Sequence, residues 1–407
     1  MTWFANSRPR DDVADASQFL SRIAYAVLAL GAPVGVVLHS FAIFLLMPIG
    51  IVLLVFAAAL EPPPLAANRL AMAYTFPVTL LALCWLAWAA LSILWTPFTI
   101  EAGQQLLRYA GLGFGLTCAF SLTREHAKAT DLYFFPIGVL LTMLAIMAAW
   151  IASKQGAAID PERIDQGGLM IATLLFPAMG GLAARARNGY ARILMILAFI
   201  YVYAIGSPST MIALFAGLTV LSFAVSDLKR TARDLSWGAA AAVALAPLLV
   251  LILAPVARLT LNAKLVALPP PYPSIAYVFT LVTQDGARLI TGHGFETVTR
   301  GMRIGALPPE TPHTALFQVW YELGIVGAWL VAAGIAFAFR AIGEAPARLA
   351  PYLAAAFACV LALGATRSNL DDWTWLAMLS IALIGCDVAA RSQYRTTRPS
   401  AERIANF

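Results

Sequence analysis

The sequence predicts an all-α polytopic membrane protein, and three observations predict it. Hydrophobic residues make up 61% of the 407 positions and charged residues only 12%, a composition too apolar for a soluble domain. The apolar residues form many runs of roughly 20, the length that an α-helix needs to cross a bilayer. Lys and Arg residues collect in short segments between these runs, where they set membrane orientation. Orientation therefore explains the net charge of +6, and we expect no nucleic acid partner.

About twelve transmembrane helices are expected from these runs. They lie at about 22–38, 41–60, 75–95, 102–121, 131–152, 168–184, 190–206, 209–226, 237–256, 315–339, 349–365 and 373–390. The first two runs are nearly continuous, but Gly31, Pro33 and His39 mark a break between them. Because Gly and Pro interrupt helices, the break favours a helical hairpin over one long tilted helix.

The basic residues predict that both chain termini lie in the cytoplasm. Most of the 27 Lys and Arg residues fall in the N-terminal arm, in the C-terminal tail and in connections on one side of the predicted spans. Cytoplasmic segments are enriched in such residues. The arm is polar and partly acidic, unlike a cleavable signal peptide. The predicted layout is a cytoplasmic arm at 1–21, spans one to nine within 22–256, a periplasmic loop at 257–312, spans ten to twelve within 313–390 and a cytoplasmic tail at 391–407.

The external loop at 257–312 is the longest connection between predicted spans, and long loops in compact proteins are usually functional or disordered. Its proline run, Pro269 to Pro273, is followed by SIAYVFTLVTQDGARLI. Apolar residues such as Ile275 and Phe279 recur there at helical spacing, while polar residues such as Arg288 fall on another face. This pattern predicts an amphipathic helix in the membrane interface, with a plain connector as the alternative.

The same loop carries several candidate site residues. Gly292 and Gly294 in TGHGFETVTRGMRIG permit a tight turn with close backbone approach, and Arg300 and Arg303 follow them. His313 lies where the proline-rich end of the loop meets the tenth predicted span. Arginine matches phosphate oxygens with its planar fork, and histidine is the side chain best suited to act as a base near neutral pH. Anchoring to lipid headgroups is the alternative for the arginines.

Three residues outside this loop complete the predicted site. Glu322, in the tenth predicted span, is costly in lipid unless it faces a polar cavity or partner. Arg163 belongs to a smaller external connection, and Arg108 lies near the external end of the fourth predicted span, where snorkelling is the alternative. The four cysteines lack disulfide or zinc spacing, so we interpret them as packing residues. The sequence predicts no metal site and no cofactor.

The chain resembles the O-antigen ligase and polymerase superfamily of polytopic glycan-transferring membrane proteins. GHGF, from Gly292 to Phe295, and the later PHTALFQVWYELGIVGAWL are similar to the family's loop histidine followed by a helix with Glu-Leu-Gly. Weaker similarity lies in LSILWTPFTIEAGQQLLRY and in DPERIDQGGLMIATLLFPA. These motifs cover part of the chain, while the layout of spans around one long external loop fits all of it.

The resemblance implies transfer of a glycan from an undecaprenyl-diphosphate carrier to a glycan or lipid A-core acceptor. The reaction would take place at the periplasmic face of the bacterial inner membrane, without metal or nucleotide sugar. His313 would act as the base for the acceptor hydroxyl, and the arginines would bind the carrier diphosphate. Membrane lipids are the other expected partners.

The chain departs from the family pattern at three places. Thr314 stands where the family often has Asn, Ser209-Thr210 stands where it has Ser-Arg, and no arginine lies near Ser274. Two customary cations are therefore missing. Which of the chain's arginines bind the diphosphate stays open at the level of the sequence.

Two alternative functions also stay open. One is a polymerase that joins lipid-linked repeat units, rather than the ligase that we favour. The other is a flippase of lipid-linked sugars, which should place charged residues near the bilayer midplane and show two related halves. The ionisable residues of this chain cluster in one external loop instead, which favours the transferase.

Overall fold

The computed structural model describes residues 9–39, 41–60, 73–122, 130–156, 160–261, 272–284 and 288–391, and these residues form helices and short connections. The first nine helices are α1 (Pro9–Ala26), α2 (Ala32–Leu38), α3 (Ala42–Ala59), α4 (Pro77–Ser92), α5 (Thr99–Leu122), α6 (Phe134–Lys154), α7 (Pro161–Ala184), α8 (Asn188–Ile205) and α9 (Pro208–Ser226). The next eight are α10 (Leu228–Ala244), α11 (Ala246–Leu261), α12 (Tyr272–Gln284), α13 (Arg288–Thr291), α14 (Thr297–Arg303), α15 (Ala315–Glu344), α16 (Ala350–Thr366) and α17 (Trp373–Arg391).

Eight helical segments of the described chain are long and apolar enough to cross a membrane. They are Asp15–Leu38, Ala42–Ala59, Asp131–Lys154, Pro161–Ala184, Asn188–Ile205, Pro208–Ser226, Ala315–Glu344 and Trp373–Ala390. The predicted class is therefore supported: the protein is helical and carries several candidate membrane spans.

The predicted number of twelve spans is not confirmed. Helices α10 and α11 are bent by 75° at their junction, so together they add at most a ninth candidate. Helices α4 and α16 are apolar but have only 16 and 17 residues. Helix α5 is long, but its first half is polar and includes Gln105 and Arg108. Its polar half makes α5 less apolar than the eight candidates.

The first two predicted spans form a hairpin, as the break in the sequence indicates. A π-helical turn, Val27–Gly31, joins α1 to α2, and the chain leaves the helix at His39, whose backbone is extended. Helix α3 then returns beside α1. The Ser17 hydroxyl of α1 donates a hydrogen bond to the Ala57 carbonyl of α3 at 2.7 Å.

Helix α7 lies at the centre of the bundle. Its side chains from residue 167 to residue 183 are all buried, and it packs against α6, α8, α16 and α17. Small residues permit this close packing: a Cβ atom added at Gly180 would lie 2.8 Å from the Leu349 side chain. Glycine at such contacts lets neighbouring helices approach closely where lipid offers no hydrophobic driving force.

Several connections meet at one end of the bundle, which we call the loop end. It comprises residues 38–39, 92–97, 160–165, 205–209, 292–314 and 367–372. Arg163 donates a hydrogen bond to the Leu38 carbonyl at 3.1 Å, and Thr96 donates one to the Phe295 carbonyl at 2.8 Å. Most of the predicted site residues lie at this end.

Candidate functional site

Helix α15 is broken near its N-terminal end, at Gly324. The backbone there has φ 63° and ψ −157°, a conformation outside the helical region that glycine adopts readily. Three successive carbonyls at the break accept hydrogen bonds from other segments. The Tyr321 carbonyl accepts from the His293 amide at 2.8 Å, and the Glu322 carbonyl accepts from the Gly294 amide at 3.0 Å. The Leu323 carbonyl accepts from the Trp88 indole at 2.9 Å, so backbone groups exposed by the break are satisfied.

The GHGF segment docks into this break, and its two glycines make the docking possible. Gly292 and Gly294 have φ 76° and φ 100°. A Cβ atom at Gly292 would lie 2.2 Å from the Glu322 carbonyl oxygen, and one at Gly294 would lie 2.7 Å from the Thr96 Cα. The tight turn and the close backbone approach expected from the sequence are both present.

Phe295 and His293 fix the same segment through their rings. Phe295 is fully buried and packs edge-on against Trp85, with ring centroids 6.2 Å apart. The His293 ring stacks on the Tyr321 ring at 4.0 Å. His293 was not a predicted site residue, and it lines a cavity of about 480 Å³ together with Arg288.

Glu322 finds a polar partner, as its position in an apolar helix requires. It is 1% exposed, and its carboxylate accepts a hydrogen bond from the Val298 amide at 3.0 Å, in the first turn of α14. The Gln318 side chain donates to the same carboxylate at 3.4 Å. Glu322 therefore joins α14 to the broken helix rather than facing open space.

An acid cluster surrounds this contact and consists of Glu296, Glu322 and Asp371. Glu296 is 3% exposed and adopts φ 66°, which is rare for a residue with a side chain. The negative charge of nearby Asp371 acts on the Glu296 carboxyl group. Thr299 donates a hydrogen bond to Asp371, and Gln318 donates another at 2.6 Å.

Burial raises the pKa of both acids in the loops, Glu296 and Asp371. Burial, followed by the negative charge of Asp371, raises the pKa of Glu296 to about 7, while Arg300 opposes the rise. Burial also raises the pKa of Asp371, against hydrogen bonds from Thr299 and Gln318 that favour its charged form. The pKa of Glu296 therefore lies near neutral pH, well above that of an ordinary carboxyl group.

The predicted arginines are distributed around the loop end. Arg300 faces Glu296, with its Nε 3.5 Å from the carboxylate oxygen, and Arg303 on the same short helix is exposed. Arg163 contacts the Leu38 carbonyl as described above. Arg108 lies 5.9 Å from the Trp373 ring centroid. Arg288 lines the same cavity as His293. The structure therefore does not bring the five arginines together.

His313 lies elsewhere at the loop end, in a cavity of about 830 Å³. Its side chain is exposed, and apolar residues such as Val250, Phe317 and Trp320 form the walls. The N-terminal cap of α15 is the neighbouring Thr314, whose hydroxyl accepts from the Phe317 amide at 3.3 Å. Capping is therefore not the role of the His313 ring.

The cation in the His313 cavity is Arg367, which the sequence analysis had not selected as a site residue. None of the five predicted arginines, all of them described, lines this cavity. The Arg367 guanidinium makes a two-pronged ion pair with Asp165, including one contact of 2.8 Å, and donates to the Ser207 hydroxyl at 3.3 Å. The signal in the sequence was a single arginine after an apolar run, on the same predicted side as His313.

In the part of the chain that the structure describes, no three His, Cys, Asp or Glu residues are arranged so that they could hold a metal ion. The fold and the site define a helical protein with several candidate membrane spans, and with one histidine and one arginine in an apolar cavity. Comparison of the chain with protein-family models, with curated proteins and with solved structures finds no match.

Proposed function

We propose that the protein transfers a glycan from an undecaprenyl-diphosphate carrier to an acceptor hydroxyl, at the periplasmic face of the bacterial inner membrane. One observation carries the proposal: His313 and Arg367 share an apolar cavity at the loop end. A lipid-linked donor has an apolar chain, a diphosphate and a sugar. Apolar walls, a guanidinium and an imidazole match these three parts in chemical type.

The reaction requires a base for the acceptor hydroxyl and a cation that stabilises the departing phosphate. The imidazole of His313 takes the proton of the acceptor hydroxyl while its oxygen forms a bond to the anomeric carbon of the donor sugar. The bond between that carbon and the phosphate oxygen breaks, and undecaprenyl diphosphate leaves with the bonding electrons. An arginine stabilises the charge that collects on the departing phosphate.

The predicted twelve-pass arrangement, with both termini in the cytoplasm, is part of this proposal. The smaller external connection at Arg163 and the described residues 292–312 of the predicted periplasmic loop both belong to the loop end, which supports alternating crossings. In this arrangement α4, α5 and α16 each cross once, and the bent pair α10 and α11 crosses as one span. Basic residues at the opposite end, such as Arg230 and Arg340, agree with a cytoplasmic side there.

Ligase and polymerase activities use the same bond chemistry and differ in the acceptor. The flippase alternative is less well supported, because Arg288, Arg303 and His313 lie at one end of the bundle rather than near its middle. We favour the ligase, with lipid A-core or a similar acceptor.

A deletion strain tests the proposal through its surface glycans. Loss of long-chain glycan from the lipid anchor indicates a ligase, a product with a single repeat indicates a polymerase, and internal build-up of carrier-linked repeats indicates a flippase. Complementation with the wild-type chain and with His313→Gln separates catalysis from the presence of the protein. Unchanged glycans in the deletion strain would overturn the proposal.

A further inference from the structure

Arg367 lies where two cavities of the loop end meet. The first is the His313 cavity, of about 830 Å³, and the second has a volume of about 930 Å³. Both are lined by Pro208, Ser209 and Arg367. The side chain of Arg367 is 25% exposed, so its guanidinium is partly accessible.

The walls of both cavities are mainly apolar away from this meeting point. Val250 and Phe317 line the first, and Met147 and Ile200 line the second. Such a pair of cavities fits an amphiphile with an anionic group between an apolar chain and a second substituent. A prenyl diphosphate that carries a glycan has this construction.

We propose that Arg367 binds the phosphate groups of the lipid-linked donor. This inference rests on the proposed function and adds a residue that neither the sequence pattern nor the resemblance selects. Arg367 also replaces, in this chain, a cation missing from the motif positions. Arg300 is a poorer candidate because its guanidinium faces Glu296.

Asp165 is a positioning residue for Arg367 in the absence of donor. Its carboxylate holds the guanidinium through two contacts, and Ser207 accepts a further hydrogen bond. A phosphate that binds the same guanidinium competes with this carboxylate for its N–H groups. Removal of the Asp165 charge should therefore leave donor binding intact or make it tighter, whereas removal of the Arg367 charge should weaken it.

Binding of undecaprenyl diphosphate without a glycan to the purified full-length chain in lipid nanodiscs tests the proposal. We expect Arg367→Gln to weaken binding by roughly 10- to 100-fold, since hydrogen bonds to charged groups contribute on that scale. Arg367→Lys should weaken it less, because lysine keeps the charge but not the planar fork. Arg340→Gln is the matched control, because Arg340 lies over the Trp237 ring near the other end of α15.

Asp165→Asn distinguishes phosphate binding from a purely structural ion pair. Equal loss of binding in Asp165→Asn and Arg367→Gln would show a structural ion pair and overturn the proposal. Binding of phosphatidylglycerol that depends equally on Arg367 would show a general headgroup site and also overturn it. A wild-type chain that does not bind undecaprenyl diphosphate would overturn the proposed function itself. Wild-type affinity in the Arg367→Gln variant would overturn this inference alone.

Discussion

The ring of His293 lies flat against the ring of Tyr321, with centroids 4.0 Å apart and planes 3° from parallel. The two residues are also joined through the backbone, since the His293 amide donates to the Tyr321 carbonyl at 2.8 Å. This double contact holds the GHGF segment in the break of α15. His313, the proposed base, lies just before the N-terminus of the same helix.

Gly292→Ala should destabilise the protein more than Gly305→Ala. Both glycines have positive φ, so alanine costs about 1–2 kcal/mol at either position. A Cβ at Gly305 meets open space, whereas one at Gly292 would lie 2.2 Å from the Glu322 carbonyl oxygen and displace the docked segment. Thermal unfolding in one detergent compares the two variants. Equal losses would show that the close approach contributes no stability.

The pKa of Glu296 predicts a loss of stability as the pH rises. The pKa is about 7 in the folded chain, against an ordinary value of 4.5, so the folded state holds a proton that the unfolded state has already released. Since the folded state binds more protons in this window, the free energy of unfolding should fall between pH 4.5 and about 7 and level off above. The neighbouring charges are those of Asp371, Glu322, Arg300 and Arg303.

Glu296→Gln tests this assignment, because glutamine resembles the protonated carboxyl and does not titrate. Unfolding measured at several pH values from 4.5 to 8 should show a weaker decline in the variant. A variant with the full wild-type decline would assign the pH dependence to another group of the acid cluster.

Arg300→Ala should lower stability, whereas Arg288→Ala and Arg303→Ala should leave it nearly unchanged. Arg300 is the cation beside the buried Glu296, and its loss leaves that carboxylate less well compensated. Adding Glu296→Gln to Arg300→Ala should then restore part of the stability loss, which a double-mutant cycle measures. Additive effects of Arg300→Ala and Glu296→Gln would rule out their coupling.

The same three alanine variants also test diphosphate binding. If all three keep wild-type glycan transfer, these arginines do not bind the diphosphate.

Reporter fusions should place Gly305 in the periplasm and Pro346 in the cytoplasm. The two positions lie at opposite ends of α15, and the bias of basic residues assigns the end near Pro346 to the cytoplasm. A cytoplasmic signal from the fusion at Gly305 would reverse the proposed orientation and move the His313 cavity to the other face.

The sequence predicted the helical class, the initial hairpin and the turn at Gly292, because each depends on local composition or on one residue type. It did not predict the pairing of Glu296 with Asp371 or of Asp165 with Arg367. These partners are far apart in the sequence, and helical spacing shows which face is apolar but not which helix packs against it. The break at Gly324 was also missed, because a single glycine in an apolar run is compatible with a continuous helix.

In the proposed reaction, His313 is the base for the acceptor hydroxyl. His313→Gln should lower glycan transfer by roughly 10²- to 10⁴-fold, the usual contribution of a positioned acid or base. Glutamine retains hydrogen bonding but takes up no proton. Folding should be little affected, because the ring is exposed and Thr314, not His313, caps α15. The matched control is His39→Gln, which changes another exposed histidine of the loop end and should leave transfer unchanged. Binding of undecaprenyl diphosphate should persist in both variants, so a His313→Gln chain with full transfer activity would leave His313 without a catalytic role.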